Sequence, residues 1–433
     1  MLERRLWISA YVFGLLCPLA VIALAPRHSE PMIAFIIAVG FVAYMGIALQ
    51  IMLASRIPVF AQPIGVDLLL RFHRYMGGVT VVLVLIHVVV SYITQGWARS
   101  WIFPPPIHGP LVAQFGFAAL VAMIGLGVTS FWRPPWMSYE TWRLTHLVLT
   151  VIAITGAYGH VLQASDLSSL VLVRVLATLA FVGSGIALVY LRVGRVFGSL
   201  ARPYELVAVH DERGDVTTVQ LKAIGHEGVP LAPGQFAWLR FADNPYSLTE
   251  HPFSLCSSAV DPAHPAFSIK SSGDFTRTVH ALPIGTQVLL DGPHGAWEPP
   301  LADAGFILVV AGIGVTPAMS VMRTMADIGD ERPVQLIYGA RQWDDVTFRE
   351  ELDHLGARLN LEIAMVISNP DSSWEGLTGR IDQALLARVL PVDARERNLL
   401  ICGPPAMIDA AMTALHELGI PDAHVRAERF DSV

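Results

Sequence analysis

Long hydrophobic runs fill the first 200 residues of the chain. A helix needs about 20 apolar residues to cross a bilayer, and six runs meet that length: residues 7–25, 32–54, 67–93, 111–131, 140–163 and 169–191. The first run follows Arg4 and Arg5 as in a signal peptide, but without a clear cleavage site we expect it to remain as the first helix. The pattern predicts an all-α, six-helix membrane domain over residues 1–200.

Arginines are distributed unequally between the two ends of these helices. With six crossings, one side receives both termini and these arginines: Arg4, Arg5, Arg56, Arg71, Arg74, Arg133, Arg143, Arg192, Arg195 and Arg202. The other side receives only Arg27 and Arg99. Basic residues favour cytosolic loops, so we predict a six-pass protein of the plasma (inner) membrane, embedded in the lipid bilayer, with both termini and the second half of the chain in the cytosol.

Four histidines lie within the predicted helices. His73 and His87 are on the third helix, and His146 and His160 are on the fifth. A separation of 14 residues in each case gives about 1400° of rotation and about 21 Å of rise, so both histidines share one face. The two helices run in the same direction. His73 is therefore level with His146 (the inner pair, near the cytosol), and His87 is level with His160 (the outer pair).

Two imidazoles at each level suit the axial ligation of one heme iron. A single histidine could instead form a hydrogen bond between helices, but the repeated spacing favours two b-type hemes. Zinc needs a third or fourth ligand, which neither level offers. Three nearby arginines would either pair with heme propionates or extend to lipid headgroups: Arg71, Arg74 and Arg174.

The pattern changes after about residue 200. Short strands separated by turn residues predict a small antiparallel barrel over residues 201–300; they are residues 204–209, 216–223, 235–241, 266–270 and 287–290. Buried-type strands then alternate with helices, which predicts a Rossmann-like α/β domain over residues 301–433; its strands are residues 306–310, 334–338, 361–367 and 399–401.

The first strand of the predicted α/β domain runs into Gly312-Ile313-Gly314 and then a helix. Glycines let a phosphate approach the backbone, and a helix N-terminus offers free N–H groups, so the turn suits a dinucleotide. Tight packing would also explain these glycines. A net charge of -7 gives no basic footprint, so we expect no nucleic-acid partner. Three cysteines cannot hold an iron–sulfur cluster or form a disulfide framework.

An ordered set of motifs resembles the ferredoxin–NADP reductase superfamily in its NADPH oxidase and ferric reductase variant. The motifs are His251-Pro252-Phe253-Ser254, residues 269–276, Gly292-Pro293-His294-Gly295, residues 312–317, Tyr338-Gly339-Ala340-Arg341, Cys402-Gly403-Pro404-Pro405 and Glu428-Arg429-Phe430. The first half of the chain, with its paired histidines, is similar to that family's ferric reductase transmembrane domain. The resemblance covers nearly the whole chain.

The resemblance implies FAD and a nicotinamide nucleotide as cofactors. The implied FAD residues are His251, Pro252, Phe253, Ser254, Ile269, Lys270, Ser272, Gly273 and Thr276, with Lys270 or Arg277 balancing the diphosphate charge. The implied nucleotide residues are Gly312, Gly314, Thr316, Pro317, Arg341, Arg380, Cys402, Gly403 and Pro404. NADPH is favoured over NADH if Arg341 and Arg380 meet a 2′-phosphate; either could instead pair with Asp344, Asp345 or Asp382.

Three residues have implied catalytic roles. Ser254 would hydrogen-bond flavin N5, Phe430 would cover the nicotinamide-facing side of the flavin, and Cys402 would line the nicotinamide pocket. Alternatively, Phe430 packs in the core and Cys402 is a small buried thiol. Asp431, Ser432 and Val433 follow Phe430, whereas the family's aromatic residue is often the last or nearly the last.

The expected function is electron transfer from NADPH through FAD and two hemes to an acceptor outside. A six-coordinate heme has no open position, so the acceptor would be reduced at the heme edge. Oxygen, giving superoxide, is the favoured acceptor; the alternatives are a ferric chelate and a periplasmic protein partner. In animal oxidases a second histidine follows the outer ligand of helix three by one turn, and here Ser91 occupies that position. No obligate protein partner is evident.

Overall fold

The chain forms two compact units, Met1–Arg195 and Val196–Val433. The computed structural model describes residues 2–23, 30–57, 65–94, 109–164, 171–241, 250–295 and 304–429. The barrel and the α/β sheet both belong to the second unit. The three-domain division at residues 200 and 300 stays a prediction.

The described part of the first unit consists of helices and short connections. Its helices are α1 (Leu2–Ala23), α2 (Pro31–Ala54), α3 (Val66–Thr94), α4 (Leu111–Phe131), α5 (Tyr139–Gln163) and α6 (Val171–Val189). A π-helical turn at Tyr190–Gly194 joins α6 to α7, Arg195–Leu200. Five of the described helices, α2 to α6, are long and apolar enough to cross a membrane, whereas α1 is apolar over the shorter stretch Leu6–Ala20. A membrane-type helical region is confirmed, and the sixth crossing stays a prediction.

Small and aromatic residues pack the interior of the helical unit. Ala153 and Ala177 are fully buried, which lets neighbouring helices approach closely. The Tyr44 hydroxyl on α2 donates a 2.7 Å hydrogen bond to the Ala177 carbonyl on α6. Tyr158 stacks on Phe181 with ring centroids 4.4 Å apart. These contacts tie α2 and α5 to α6.

The second unit contains a six-stranded antiparallel sheet. Its strands are β1 (Pro203–Glu212), β2 (Val216–Ala223), β3 (Phe236–Phe241), β4 (His251–Ser254), β5 (Ala266–Lys270) and β6 (Gln287–His294). They lie in the order β4-β3-β6-β1-β2-β5. A bridge between Leu255 and Phe267 joins the two edge strands and closes the barrel. The antiparallel barrel is confirmed, and β4 is a strand that the sequence pattern did not predict.

A parallel α/β sheet completes the unit. Its elements are β7 (Phe306–Ala311), α8 (Val315–Ile328), β8 (Val334–Ala340), α9 (Arg349–Gly356), β9 (Leu361–Ile367), β10 (Leu377–Thr378), α10 (Gln383–Val389), β11 (Asn398–Cys402), α11 (Pro405–Glu417) and β12 (Val425–Glu428). The strand order is β10-β9-β8-β7-β11-β12. All pairings are parallel, as predicted, so the carboxyl ends of the strands share one edge.

A buried arginine on α8 joins the α/β sheet to the barrel. The Arg323 guanidinium donates to both carboxylate oxygens of Glu351, at 2.7 and 2.5 Å, and to the carbonyl of Cys256 at 2.6 Å. It also lies over the ring of Phe348, 5.0 Å from its centroid. Next to it, the Thr324 hydroxyl accepts from the Ala259 N–H at 2.9 Å. Hydrogen bonds to a charged group are stronger than neutral ones, so the bond from Arg323 to the Cys256 carbonyl is a strong polar link between the α/β part and the barrel.

Arg323→Ala is expected to lower the free energy of unfolding of the second unit by about 2 kcal/mol, because hydrogen bonds to a charged, mostly buried group are lost. Urea denaturation of the full chain in detergent measures this loss. The matched control is Arg358→Ala, which removes a 2.9 Å pair with Asp327 on the same helix α8. Those side chains are 53% and 40% exposed, so a loss below about 1 kcal/mol is expected. Equal losses in both variants would contradict the assigned role.

Candidate functional site

The four membrane histidines form two facing pairs between α3 and α5. The ring centroids of His73 and His146 are 6.4 Å apart, and those of His87 and His160 are 6.0 Å apart. Helical spacing alone predicted that these helices would present their histidines level with one another. The structure therefore brings together all four histidines that the sequence singled out in the first unit.

Each pair is held by hydrogen bonds at Nδ1. The Nδ1 atoms of His73, His87 and His160 lie 3.2, 2.9 and 2.8 Å from the backbone carbonyls of Gln50, Ile36 and Val112, respectively. A carbonyl only accepts, so Nδ1 carries the hydrogen and the lone pair lies on Nε2. His146 Nδ1 instead lies 3.4 Å from the Ser130 hydroxyl. Imidazoles held in this way are typical of metal ligands.

The spacing of the rings fits one iron between each pair. A metal–imidazole bond of about 2 Å, with about 1 Å from the nitrogen to the ring centre, counted twice, gives about 6 Å between centroids. The observed 6.4 and 6.0 Å agree with this value. The two imidazoles of a pair would hold such an iron, and a porphyrin would supply its other ligands. The donor set therefore fits a heme at each level.

The arginines predicted to meet propionates lie on α3 and α6. Arg71 is half-buried, and Arg74 and Arg174 are exposed. None of the three forms an ion pair with another residue in the described part of the chain. Their role stays a prediction. The Ser91 hydroxyl, one turn beyond His87, donates a 2.6 Å bond to the His87 carbonyl.

The motif His251–Ser254, which is predicted to bind the flavin, lies on β4, an edge strand that pairs with β3. The backbone of Ser254 pairs with that of Phe236. The Ser254 side chain is buried, and its hydroxyl forms no hydrogen bond with any other described residue. The His251 ring stacks on Phe275 with centroids 4.4 Å apart, while Pro252 and Phe253 are half-buried. The strand therefore presents an uncommitted hydroxyl beside an aromatic cluster.

The loop after β5 is shaped by a single hydroxyl. Thr276 Oγ1 accepts from the backbone N–H groups of Ser272 and Gly273, at 2.9 and 2.8 Å. Lys270, Ser272 and Gly273 are exposed, and Arg277 is exposed on the same turn. Ile269 is 1% exposed, so its side chain belongs to the barrel core. What the loop offers a ligand is the positive charge of its two basic residues.

Two glycine-containing turns meet at the carboxyl edge of the α/β sheet. Gly312 follows β7 with φ +53° and open space where a Cβ would point. A Cβ on Gly314 would lie 2.3 Å from the Cys402 carbonyl, and one on Gly403 would lie 3.2 Å from the Ala311 nitrogen. The turn after β7 therefore packs against the turn after β11, where exposed Pro404 precedes α11. Only glycine fits at position 314, because a side chain there would overlap the Cys402 carbonyl.

Thr316 and Pro317 lie in the first turn of α8 and are buried. The Thr316 hydroxyl donates to the Ile313 carbonyl at 2.8 Å, so it closes the turn. A ligand at this turn would meet backbone groups and the adjacent exposed surface.

Two exposed arginines follow strands at the same edge of the α/β sheet. Arg341 follows β8 and Arg380 follows β10, and neither pairs with an acidic residue in the part of the chain that the structure describes. Asp382 accepts from the Leu385 N–H at 2.9 Å, and Asp344 lies 3.9 Å from Arg349. The two arginines are thus available to an anionic ligand.

Cys402 is paired in register with Glu428 on the neighbouring strand β12. Both are buried. Burial, together with the charge of Glu428, raises the pKa of the Cys402 thiol well above its usual range, so the thiol stays protonated at neutral pH. A Cβ on Gly295 would lie 2.5 Å from the Glu428 carboxylate and 3.2 Å from the Phe236 ring. Phe236 also pairs with Ser254, and Glu428 pairs with Cys402. Gly295 therefore lies between a neighbour of Ser254 and a neighbour of Cys402.

The sequence did not single out Glu428 as a site residue of this region. Its position could be recognised from the sequence only as part of the terminal Glu428-Arg429-Phe430 motif. Phe430 lies outside the described residues. Arg27 and Arg99, which the sequence places on the side opposite the termini, lie outside them too.

Comparison with known families agrees with both halves of this geometry. The model for the "ferric reductase like transmembrane component" matches residues 39–157, which include all four paired histidines. The model for the "oxidoreductase NAD-binding domain" matches residues 308–413. The chain joins a ferric-reductase-type membrane domain to an NAD-binding oxidoreductase domain. The resemblance to the NADPH oxidase and ferric reductase family, with a ferredoxin-reductase-type dehydrogenase domain, is confirmed.

Individual relatives match mainly one part of the chain. NADH-cytochrome b5 reductase 1 of Pyricularia oryzae is 28% identical over 42% of this chain and 61% of its own length. The reductase component of propane 2-monooxygenase of Rhodococcus jostii is 27% identical over 50% of this chain and 60% of its own length. This chain thus spans about 60% of each relative. A flavohemoglobin structure from Malassezia yamatoensis, with bound FAD and heme, aligns with a TM-score of 0.51 at 17% identity, covering 82% of this chain and 97% of that one; this shows similarity of fold alone.

Proposed function

We propose that this protein is a six-pass membrane oxidoreductase that carries electrons from cytosolic NADPH to oxygen on the opposite face, with superoxide as product. The observation that carries the proposal is the presence of two histidine pairs between α3 and α5. The ring centroids within the pairs are 6.4 and 6.0 Å apart, and the same chain contains an NAD-binding domain. Electrons do not cross the hydrocarbon core of a bilayer unless redox centres lie within it. The two histidine pairs, one at each depth of the membrane domain, would be the ligands of such centres.

FAD, when bound, would supply hydride acceptance and release of single electrons, and two b-type hemes would supply redox centres within the membrane. His73 and His146 would hold the inner heme, and His87 and His160 the outer one. The Nδ1 hydrogen bonds of His73, His87 and His160 to carbonyls orient these three rings and keep Nε2 available as ligand. The arginines of α3 and α6 would balance propionate charge.

Residues of the second unit would bind and orient the reactants. The Ser254 hydroxyl, which is uncommitted within the described structure, would hydrogen-bond the flavin at N5. The open backbone of Gly312 would admit the nucleotide diphosphate. Cys402, protonated and fully buried, would lie behind the nicotinamide pocket and support it with a small, uncharged side chain. Lys270 and Arg277 would balance the flavin diphosphate.

Reconstituted vesicles test the proposed function. With FAD and heme supplied during expression, NADPH is added on the side of the second unit, and cytochrome c is enclosed on the other. We expect cytochrome c reduction that superoxide dismutase inside the vesicle abolishes. No reduction in vesicles that oxidise NADPH with an external acceptor would refute transmembrane transfer.

Ferric chelate is the second candidate acceptor, favoured by the match of residues 39–157 to a ferric-reductase-type component. The same vesicles decide between the two. Reduction of enclosed ferric chelate that persists without oxygen and is insensitive to superoxide dismutase would identify the metalloreductase. Dependence on an added periplasmic protein would identify a protein acceptor.

Arg341→Ala and Arg380→Ala are each expected to raise the KM for NADPH about tenfold and to leave the KM for NADH unchanged. Each removes a charge-assisted bond to the 2′-phosphate, worth about 1.5–3 kcal/mol. Steady-state kinetics with ferricyanide measures both constants. Arg388→Ala, an exposed arginine on α10, is the control. Parallel changes for the two nucleotides would exclude a role in 2′-phosphate recognition.

A further inference from the structure

Each histidine of the outer pair packs against a glycine of the preceding helix and approaches a backbone carbonyl of that helix. His87 of α3 contacts the Ile36 carbonyl of α2 at 2.9 Å, and His160 of α5 contacts the Val112 carbonyl of α4 at 2.8 Å. In both helices the residue four positions beyond that carbonyl is glycine: Gly40 and Gly116. The same arrangement of a carbonyl followed by glycine four positions later thus occurs twice, once between α2 and α3 and once between α4 and α5.

Only glycine fits beside each of these imidazoles. A Cβ on Gly40 would lie 2.6 Å from His87 Nδ1, and one on Gly116 would lie 2.7 Å from His160 Nδ1. In an α-helix the carbonyl of residue i already accepts from the N–H of residue i+4. A second donor must therefore approach over residue i+4, and the missing side chain opens that path.

The inner pair lacks this arrangement of a carbonyl followed by glycine four positions later. His73 Nδ1 lies 3.2 Å from the Gln50 carbonyl, and the residue four positions on is Ala54. His146 Nδ1 lies 3.4 Å from a serine hydroxyl, Ser130. The outer imidazoles therefore have shorter bonds, and both of their partners are helix carbonyls.

We propose that Gly40 and Gly116 are positioning residues of the outer heme site, and that the two carbonyl bonds they permit set its reduction potential. This inference rests on the proposed function, because it presumes an iron between His87 and His160. A strong bond from Nδ1–H makes an imidazole more basic. A more basic ligand stabilises the oxidised iron, so the outer heme has the lower potential of the two.

Gly40→Ala and Gly116→Ala test the inference separately. Each added methyl group overlaps an imidazole and displaces it from its carbonyl. Pyridine hemochrome analysis per mole of chain and potentiometric titration of the purified full-length protein are the readouts. We expect each variant to fall from two hemes to one or, if it keeps both, to raise the lower midpoint potential. The higher potential stays unchanged.

Two glycines of the same unit serve as matched controls. Gly185 on α6 has open space at its Cβ position, so Gly185→Ala reports the effect of the substitution alone. A Cβ on Gly46 of α2 would lie 2.8 Å from the Thr80 hydroxyl on α3, so Gly46→Ala disturbs the same helix pair without touching a histidine. Both controls are expected to keep two hemes with unchanged potentials.

Outcomes separate this inference from the proposed function. Fewer than two hemes in the unmodified protein would refute the proposed function itself. Two hemes in the unmodified protein, and two with unchanged potentials in Gly40→Ala or Gly116→Ala, would overturn the positioning role alone. Equal heme loss in Gly46→Ala would also overturn it. Should neither variant fold, the unmodified protein still decides: a higher potential for the heme that His87→Ala removes would contradict the inference.

Discussion

Replacing His87 with alanine is expected to lower electron delivery across the membrane at least about 100-fold, because an outer heme would lose one of its two axial ligands. The dehydrogenase half of the reaction does not involve this residue. Oxidation of NADPH by ferricyanide added on the side of the second unit should therefore stay within about twofold of the unmodified rate. The measurement compares both rates in the same vesicles, together with the heme content per chain.

Ser91→Ala is the matched control for this variant. Ser91 lies one turn beyond His87 on α3, and its hydroxyl only donates to the His87 carbonyl. Loss of such a bond within a helix is expected to leave the vesicle assay unchanged. Outward delivery at the unmodified rate in His87→Ala would remove the basis of the heme assignment. A loss in Ser91→Ala as large as in His87→Ala would implicate the local helix and not the ligand.

Membrane elements could be predicted well because their signal is contained in single segments. The predicted run 111–131 coincides with α4, and 32–54 begins one residue after α2 does. The relation of His73 to His146 followed from helical rotation and from the direction of the helices. The acceptors at Nδ1 could not be predicted, because Ile36 and Val112 lie 51 and 48 residues away in sequence from their histidines. Their contribution depends on how the helices pack.

Prediction was weaker where polar residues form edge strands. Strand β12 has only four residues, two of which are Arg426 and Glu428, so it is too short and too polar to be recognised from the sequence. Its pairing with β11 places Glu428 opposite Cys402, and this contact arises only from the sheet order. Strand β4 contains Pro252, and proline within a short segment indicates a turn or an edge strand. It forms a strand because it lies at the edge of β3.

Ser254→Ala is expected to slow reduction of the bound flavin by NADPH about 100-fold, the effect of removing one donor from a site where charge develops. The Ser254 hydroxyl is buried at the end of β4 and uncommitted within the described structure. Stopped-flow absorbance under anaerobic conditions measures the rate. Flavin content and the Kd for NADPH should stay within about twofold, because the remaining residues of both binding loops are unaltered.

Two further variants separate the hydroxyl's role from that of a buried serine in general. Ser268→Ala removes a hydroxyl that lies 2.7 Å from the Thr218 hydroxyl inside the same barrel. It should lower stability and leave the reduction rate unchanged. Ser254→Thr keeps the donor and should recover most of the lost rate. Fast reduction in Ser254→Ala, or slow reduction in all three variants, would show that the barrel, and not this hydroxyl, controls hydride transfer.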